Sequence, residues 1–164
     1  MKATGTIRTA DAADIDLLAT LIKRSHADVA HKFNLTPENC PKHPSNCTAA
    51  WIENDLERGV RYYLADWHGE TVGCVAFEQA SPEMGYLERL SVLPENRRNG
   101  IGCRLVDRVF QEAAVLCVSQ IGIGVIADFS ELKKWYKKLD FREGETKTFT
   151  HLPFRVLLMS YRLP

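Results

Sequence analysis

The chain has 164 residues, 45% of them hydrophobic, enough to bury one sizeable core, so one domain spanning residues 1–164 is expected. Lys plus Arg and Asp plus Glu each number 21, so the formal net charge is zero. That balance argues against nucleic acid and against an acidic membrane as partner, because such binders carry a basic excess. Met1 to Gly5 is followed by no apolar signal core, and no apolar run approaches the length of a membrane span. Cysteines at 40, 47, 74, 103 and 117 are odd in number and scattered. They fit free thiols in a reducing compartment, and a cytoplasmic location is the expectation.

Gly5 to Thr9 reads as a short strand. Asp11 is a plausible N-cap, and Ile15, Leu18, Leu21 and Ile22 recur at helical spacing, which predicts a helix from about Ala12 to Ala30. From Phe33 to Thr48 the chain changes character, with Pro37, Pro41 and Pro44 set among Asn, Ser and Thr. This is loop chemistry, long for a compact domain, and suits a functional flap. A second helix is expected from Thr48 to Arg58, stopped by Gly59. Val60 to Trp67 and Thr71 to Gln79 flank His68-Gly69-Glu70 and predict a hairpin. After a turn at Ser81-Pro82-Glu83, Tyr86 to Val92 is the central strand. The helix after Gly102 turns Leu105, Val106, Val109, Phe110 and Ala113 inward. Gln120 to Ala127 is almost wholly apolar, as a strand covered on both faces would be. A helix capped by Asp128 or Ser130 runs through Leu139, and Phe141 to Thr148 and Arg155 to Tyr161 form a closing antiparallel pair. The order βααβββαβαββ predicts an α/β fold with a mixed sheet.

The stretch from Leu87 to Cys103 carries the clearest chemistry. A strand meets a turn at Pro94 to Asn96, then Arg97, Arg98, Asn99, Gly100, Ile101, Gly102 and Cys103 lead into a helix. The first N–H groups of a helix lack internal partners, and its dipole is positive at that end. Glycines at 100 and 102 let the backbone approach an anion closely, and the arginines can add charge-assisted hydrogen bonds. No Gly-Lys-Ser/Thr follows, so this is not a Walker loop, and it is not the Gly-x-Gly-x-x-Gly of dinucleotide folds.

Val92-x-Pro94-x-x-Arg97-Arg98-Asn99-Gly100-Ile101-Gly102 resembles the acetyl-CoA-binding motif of the GNAT N-acetyltransferase superfamily. Downstream, Leu132-x-x-Trp135-Tyr136-x-x-x-Asp140-Phe141 resembles a second segment of that family, with Asp140 where a glycine is usual. Asp tolerates the left-handed backbone that position needs. The family often has Asn before this helix, contacting the pantetheine arm; here the chain reads Asp128-Phe129-Ser130, and that contact is not carried over. The resemblance implies a single-domain GNAT fold with a mixed, mostly antiparallel sheet and splayed central strands. It implies acetyl-CoA as acyl-donor cosubstrate, its arm paired to the backbone of Leu90 and Val92 and its pyrophosphate held by N–H groups from about Arg98 to Cys103. The reaction it implies is acetyl transfer to a primary amine of a small molecule or peptide. Homodimers are common for this fold.

Two residues have both a chemical and a structural reading. Tyr136 could pack with its hydroxyl in water; by resemblance it hydrogen-bonds the CoA sulfur and protonates the leaving thiolate. Glu88, a charge within the central strand, could pair with Arg89 or Arg61 or sit at the splay. Alternatively it is the general base that deprotonates the attacking ammonium, and some polyamine acetyltransferases of the superfamily carry Glu at the matching place. Glu83, in the turn, is a weaker candidate. His31, Cys40, His43 and Cys47 superficially suit zinc, but their spacing matches no common finger and three prolines stiffen the loop without metal, so no metal is expected. His26 or His31 could supply a titrating group beside the acceptor. Two further functional readings are a CoA-binding sensor without catalysis and a zinc-dependent interaction module.

Overall fold

The computed structural model describes residues 5–164, so residues 1–4, within the stretch read above for a signal core, lie outside the described residues. β1 is Gly5–Thr9. Asp11 then closes a capping box over a short 3₁₀ turn, and α1 runs over Ile15–Lys32, a turn split from the predicted helix start. α2 is Ala49–Glu57, and Gly59 leaves it with φ 88°. β2 (Arg61–Trp67) and β3 (Glu70–Gln79) form the expected hairpin. Its turn residues His68 and Gly69 both have positive φ, as a two-residue turn matched to the twist of its strands requires. β4 (Met84–Val92), α3 (Ile101–Val115) and β5 (Gln120–Ile126) form the central crossover. α4 (Ser130–Lys138), β6 (Arg142–Thr148) and β7 (Arg155–Arg162) complete the chain. The N-cap of α4 is Phe129, with no side-chain hydrogen bond, so neither Asp128 nor Ser130 caps it as predicted. Asp140 does adopt the left-handed backbone that ends this helix, φ 69°.

Among the described residues seven strands form one sheet in the order β1-β2-β3-β4-β5-β7-β6. Only β4 and β5 are parallel, because α3 carries the chain back across the sheet between them. The closing hairpin pairs as predicted, with β7 beside β5 and β6 at the edge. β6 is exposed throughout and carries Arg, Glu and Lys, which suits an open edge.

The two faces can be assigned residue by residue. Gly73 of β3 lies against Ile101 and Leu105 of α3, and a Cβ there would also press on the Ser91 carbonyl at 2.8 Å. The adjacent Cys74–Ser91 row turns the other way, where Ser91 meets His26 of α1. α1 and α2 therefore cover one face and α3 the other. The main core lies between, with Leu18, Ile22, Tyr62, Leu64, Leu105 and Ile121 at or near zero exposure. As the periodicity predicts, Leu105, Val106, Val109 and Ala113 are buried, while Phe110 is half-buried and stacks on Tyr161 at 4.1 Å.

Candidate functional site

The site arises where two strands stop pairing. β4 and β5 are in register only from Met84–Gln120 to Tyr86–Gly122. Beyond that, β4 stays with β3 to Val92 and β5 stays with β7 to Ile126. A cleft of about 800 Å³ opens between them, with Leu87 to Leu90 and Val92 on one wall and Ile123 to Ile126 on the other. α1, the α3 N-terminus and the loop before it, α4, the proline-rich segment and the β6–β7 turn supply the rest of its lining.

At one end lies the basic loop. Gly100 takes φ 75° and stands as N-cap of α3 without any side-chain cap. Arg98 is also left-handed, φ 66°. The backbone N–H groups from Arg98 to Cys103 have no acceptor among the described residues, the first intrahelical bond being Arg104 N–H to the Gly100 carbonyl at 3.2 Å. These donors face a cleft and carry the positive end of the dipole. Gly102 has a further reason to be glycine: a Cβ there would sit 3.1 Å from the Trp135 ring. The two arginines differ. Arg98 is exposed and unpaired among the described residues. Arg97 is already engaged, with Nη1 2.6 Å from Asp28 Oδ2, Nη2 2.7 Å from the Ser25 carbonyl and Nε 3.1 Å from the Val92 carbonyl. It braces the loop against α1. Asn99 closes the loop on itself through the Asn96 carbonyl at 3.1 Å.

The two residues with chemical readings both line the cleft. Glu88 borders it and forms no ion pair among the described residues. The pairings available to it are used elsewhere: Arg61 bonds Glu112, and Arg89 bonds Asp55. Burial, then the neighbouring Glu78 carboxylate, pushes the Glu88 carboxyl up to about 7, against the pull of Arg89. Tyr136 is 5% exposed, packed edge-on against Trp135 and Phe141, and its hydroxyl has no partner among the described residues. Burial raises its pKa well above the usual phenol value. Glu83 lies away from the cleft, in a separate shallow depression.

A β-bulge explains how β4 can serve the site. The β3–β4 register slips by one residue between Cys74–Ser91 and Ala76–Glu88, and Arg89 sits there with φ 52°. Ser91 Oγ donates to the Arg89 carbonyl at 2.9 Å across this bulge. Its only proton is thereby used, so His26 Nε2, 3.0 Å away, is the donor to Ser91 Oγ. Burial, with His43 and Arg97 nearby, lowers the His26 pKa to about 4, so the ring is neutral at physiological pH. Below the bulge lies a buried cluster that sequence reasoning missed. Asp55, 3% exposed, accepts from Tyr62 Oη at 2.5 Å, from Arg58 Nη2 at 2.9 Å and from Arg89. Its signal was an acidic residue three positions after Ile52, on the apolar face of α2.

The proline-rich segment does border the cleft, through Cys40, Lys42, His43 and Pro44. Among the described residues no three His, Cys, Asp or Glu side chains converge on a common point. His43 instead bonds Ser45 through Nδ1 and lies edge-on to His26, while Cys40 and Cys47 are buried thiols with raised pKa values. His31 is exposed on α1. Ser25 Oγ, buried beside the cleft, is the one buried side-chain polar atom without a partner among the described residues.

A mixed sheet with one parallel pair that opens against a helix N-terminus defines the layout of the GNAT acyltransferases. Residues 58–143 match the family model for the acetyltransferase (GNAT) domain, and the chain belongs to that family. It is 26% identical over 98 residues, 60% of this chain and 60% of the relative, to an uncharacterized N-acetyltransferase of Chlorobaculum tepidum. It is 27% identical over 126 residues, 73% of this chain and 44% of the relative, to the chloroplastic GCN5-related N-acetyltransferase 6 of Arabidopsis thaliana. The chain thus spans 60% and 44% of the length of these relatives. Among solved structures it is similar to the PaiA N-acetyltransferase of Thermoplasma acidophilum in complex with coenzyme A, with TM-score 0.82, 15% identity and coverage of 98% and 99% of the two chains. It is also similar to the ribosomal-protein-S18-alanine N-acetyltransferase of Escherichia coli, with TM-score 0.77, 15% identity and coverage of 97% and 94%. At such identities the structural likeness speaks for the fold. No helix among the described residues is long and apolar enough to cross a membrane.

Proposed function

We propose that the chain is an acetyl-CoA-dependent N-acetyltransferase that moves an acetyl group onto a primary amine by direct attack on the thioester. The observation that carries this reading is the opening of the β4–β5 pair into a cleft whose lining includes unpartnered N–H donors, Glu88 and Tyr136. Those donors suit a pyrophosphate, and the strand edge at Leu90 and Val92 suits an amide-bearing arm. The Val92 carbonyl is already taken by Arg97. Arg98 through Cys103 hold the anion, and Arg97 holds the loop. The active unit is the whole chain, because Ser25 to Pro44 and Leu152 to Phe154 wall the same cleft.

In the reaction, Glu88 takes the proton of the acceptor ammonium, directly or through water. A carboxylate near 7 is a far better base than one near 4.5, yet is substantially ionised at neutral pH. The amine nitrogen then bonds the acetyl carbon as the carbon–sulfur bond breaks, and the Tyr136 hydroxyl delivers a proton to the sulfur. Tyr136 stays protonated until then because burial penalises its phenolate. Burial likewise disfavours a free thiolate, so the departing sulfur takes that proton. A cytoplasmic location is proposed on the five free cysteines. The test is release of CoA thiol from acetyl-CoA with a panel of amines. Amine-dependent release that falls in Tyr136→Phe supports the reading. Binding of CoA with no amine-dependent release overturns it and leaves a sensor.

A further inference from the structure

The acceptor side of the cleft carries positive charge that acetyl transfer itself does not require. The bulge places Arg89 on the same face as Glu88: Glu88 is in the Tyr62–Ala76 row, and Arg89 reaches Tyr62 and Asp55. Only Nη1 of Arg89 is used, donating to Asp55 and, at 2.6 Å, to Tyr62 Oη. Nε and Nη2 have no acceptor among the described residues. That leaves a complete edge of the guanidinium, the planar fork that matches a carboxylate. The side chain is 21% exposed and borders the cleft. Its left-handed backbone is disfavoured for a non-glycine residue, a cost that functional positions often carry.

Lys42 of the proline-rich segment borders the same cleft and forms no ion pair among the described residues. Arg89 and Lys42 share one platform: the guanidinium carbon lies 5.5 Å and the ammonium 5.9 Å from the centre of the Trp51 ring. The nearby carboxylates leave the Nε–Nη2 edge of Arg89 and the Lys42 ammonium without an acceptor among the described residues. Asp55 is saturated by Arg89, Arg58 and Tyr62, and Glu78 is bonded by Arg58 at 2.6 Å. Of the two carboxylates that line the cleft, Glu131 is exposed and lies 3.9 Å from Lys32, and Glu88 is the one without a cation among the described residues. The cleft lining also has an apolar part, with Val29, Leu152 and Phe154 packed against one small cluster.

We propose that the acceptor is a free amino acid with an apolar side chain, its amine toward Glu88 and its carboxylate on the open edge of Arg89 with Lys42. The proposal rests on the N-acetyltransferase reading and narrows it from amines in general to zwitterionic ones.

The test compares phenylalanine, phenylalaninamide and phenylethylamine as acceptors, at fixed acetyl-CoA. The expected result is a preference of about tenfold or more in kcat/KM for the amino acid over its amide, the scale for losing one charged hydrogen-bonding partner. Lys42→Gln and Arg89→Lys should each narrow that ratio, chiefly through KM for the amino acid. Arg89→Lys keeps a cation against Asp55 while removing the fork, and a thermal melt checks that it is folded. If the amide or phenylethylamine is used as well as the amino acid, or if neither variant narrows the ratio, the proposal falls and acetyl transfer stands. If acetyl-CoA binds and no amine is acetylated, the N-acetyltransferase reading itself falls, and this proposal with it.

Discussion

Replacing Glu88 with Gln should abolish most activity and yet stabilise the protein at alkaline pH. The folded-state carboxyl lies at about 7, against a usual 4.5, mainly because it is buried and faces Glu78. A carboxyl raised by folding binds its proton more tightly in the native state. Its favourable contribution is therefore complete below about 4.5 and is lost as pH rises through 7. A tenfold change in proton affinity is worth ~1.4 kcal/mol, so the ionised side chain costs on the order of 2–3 kcal/mol at pH 8.5 once partial access of solvent is allowed for. Glutamine keeps the shape and cannot ionise, so it should recover that amount. The assay is urea unfolding of wild type and variant at pH 4.5 and 8.5, beside kcat/KM across the same range. The wild type should show activity rising with an apparent pKa near 7. The variant should lose that limb, fall about 10²-fold or more in kcat and gain stability only at the higher pH. Equal stability of the two proteins at pH 8.5, or an unchanged pH profile in the variant, would refute the reasoning.

Tyr136→Phe should lower kcat by about 10²-fold with little change in stability or CoA affinity, since the hydroxyl has no partner among the described residues; single-turnover kinetics and a melt separate these effects. Asp55→Ala should cost about 3–5 kcal/mol in denaturant unfolding, because it strands Arg89 in a half-buried setting. His26 is lowered to about 4 by burial, so the stability it contributes is complete above 6.5 and is lost as pH falls toward 4. His26→Gln should flatten that acid limb by up to ~3 kcal/mol in unfolding titrations, Asp14 and Asp28 still contributing their own acid loss. Gly100→Ala should weaken CoA binding measured by calorimetry and cost ~1–2 kcal/mol, because φ 75° disfavours any Cβ although no neighbour obstructs one.

Local signals and tertiary geometry contributed differently to the two halves of the site. The donor half is contiguous: Arg97 to Cys103 lie in one loop and one helix turn, so spacing and residue type expose them in the sequence. Even there, residue type points Arg97 toward an anion, while its guanidinium is held by Asp28 and two carbonyls. Asp28 lies 69 positions away along the chain, and no local pattern could link them. The acceptor half is assembled from α1, the proline-rich segment, β4 and the β6–β7 turn. Lys42, Leu152 and Phe154 look like ordinary loop residues until the fold puts them on one wall.

By itself the sequence determined the element order, the strand-to-helix anion loop, the paired motifs and the inward stripe of α3. These depend on φ preferences, capping and 2.0- or 3.6-residue periodicity, which act within a few residues. The tertiary structure alone decided where β4 and β5 part, that a bulge turns Glu88 and Arg89 to one face, and that Arg89 spends its charge on Asp55 and not on Glu88. It also decided the Glu88 pKa, because desolvation and the approach of Glu78 exist only once β3, β4 and α2 are packed together.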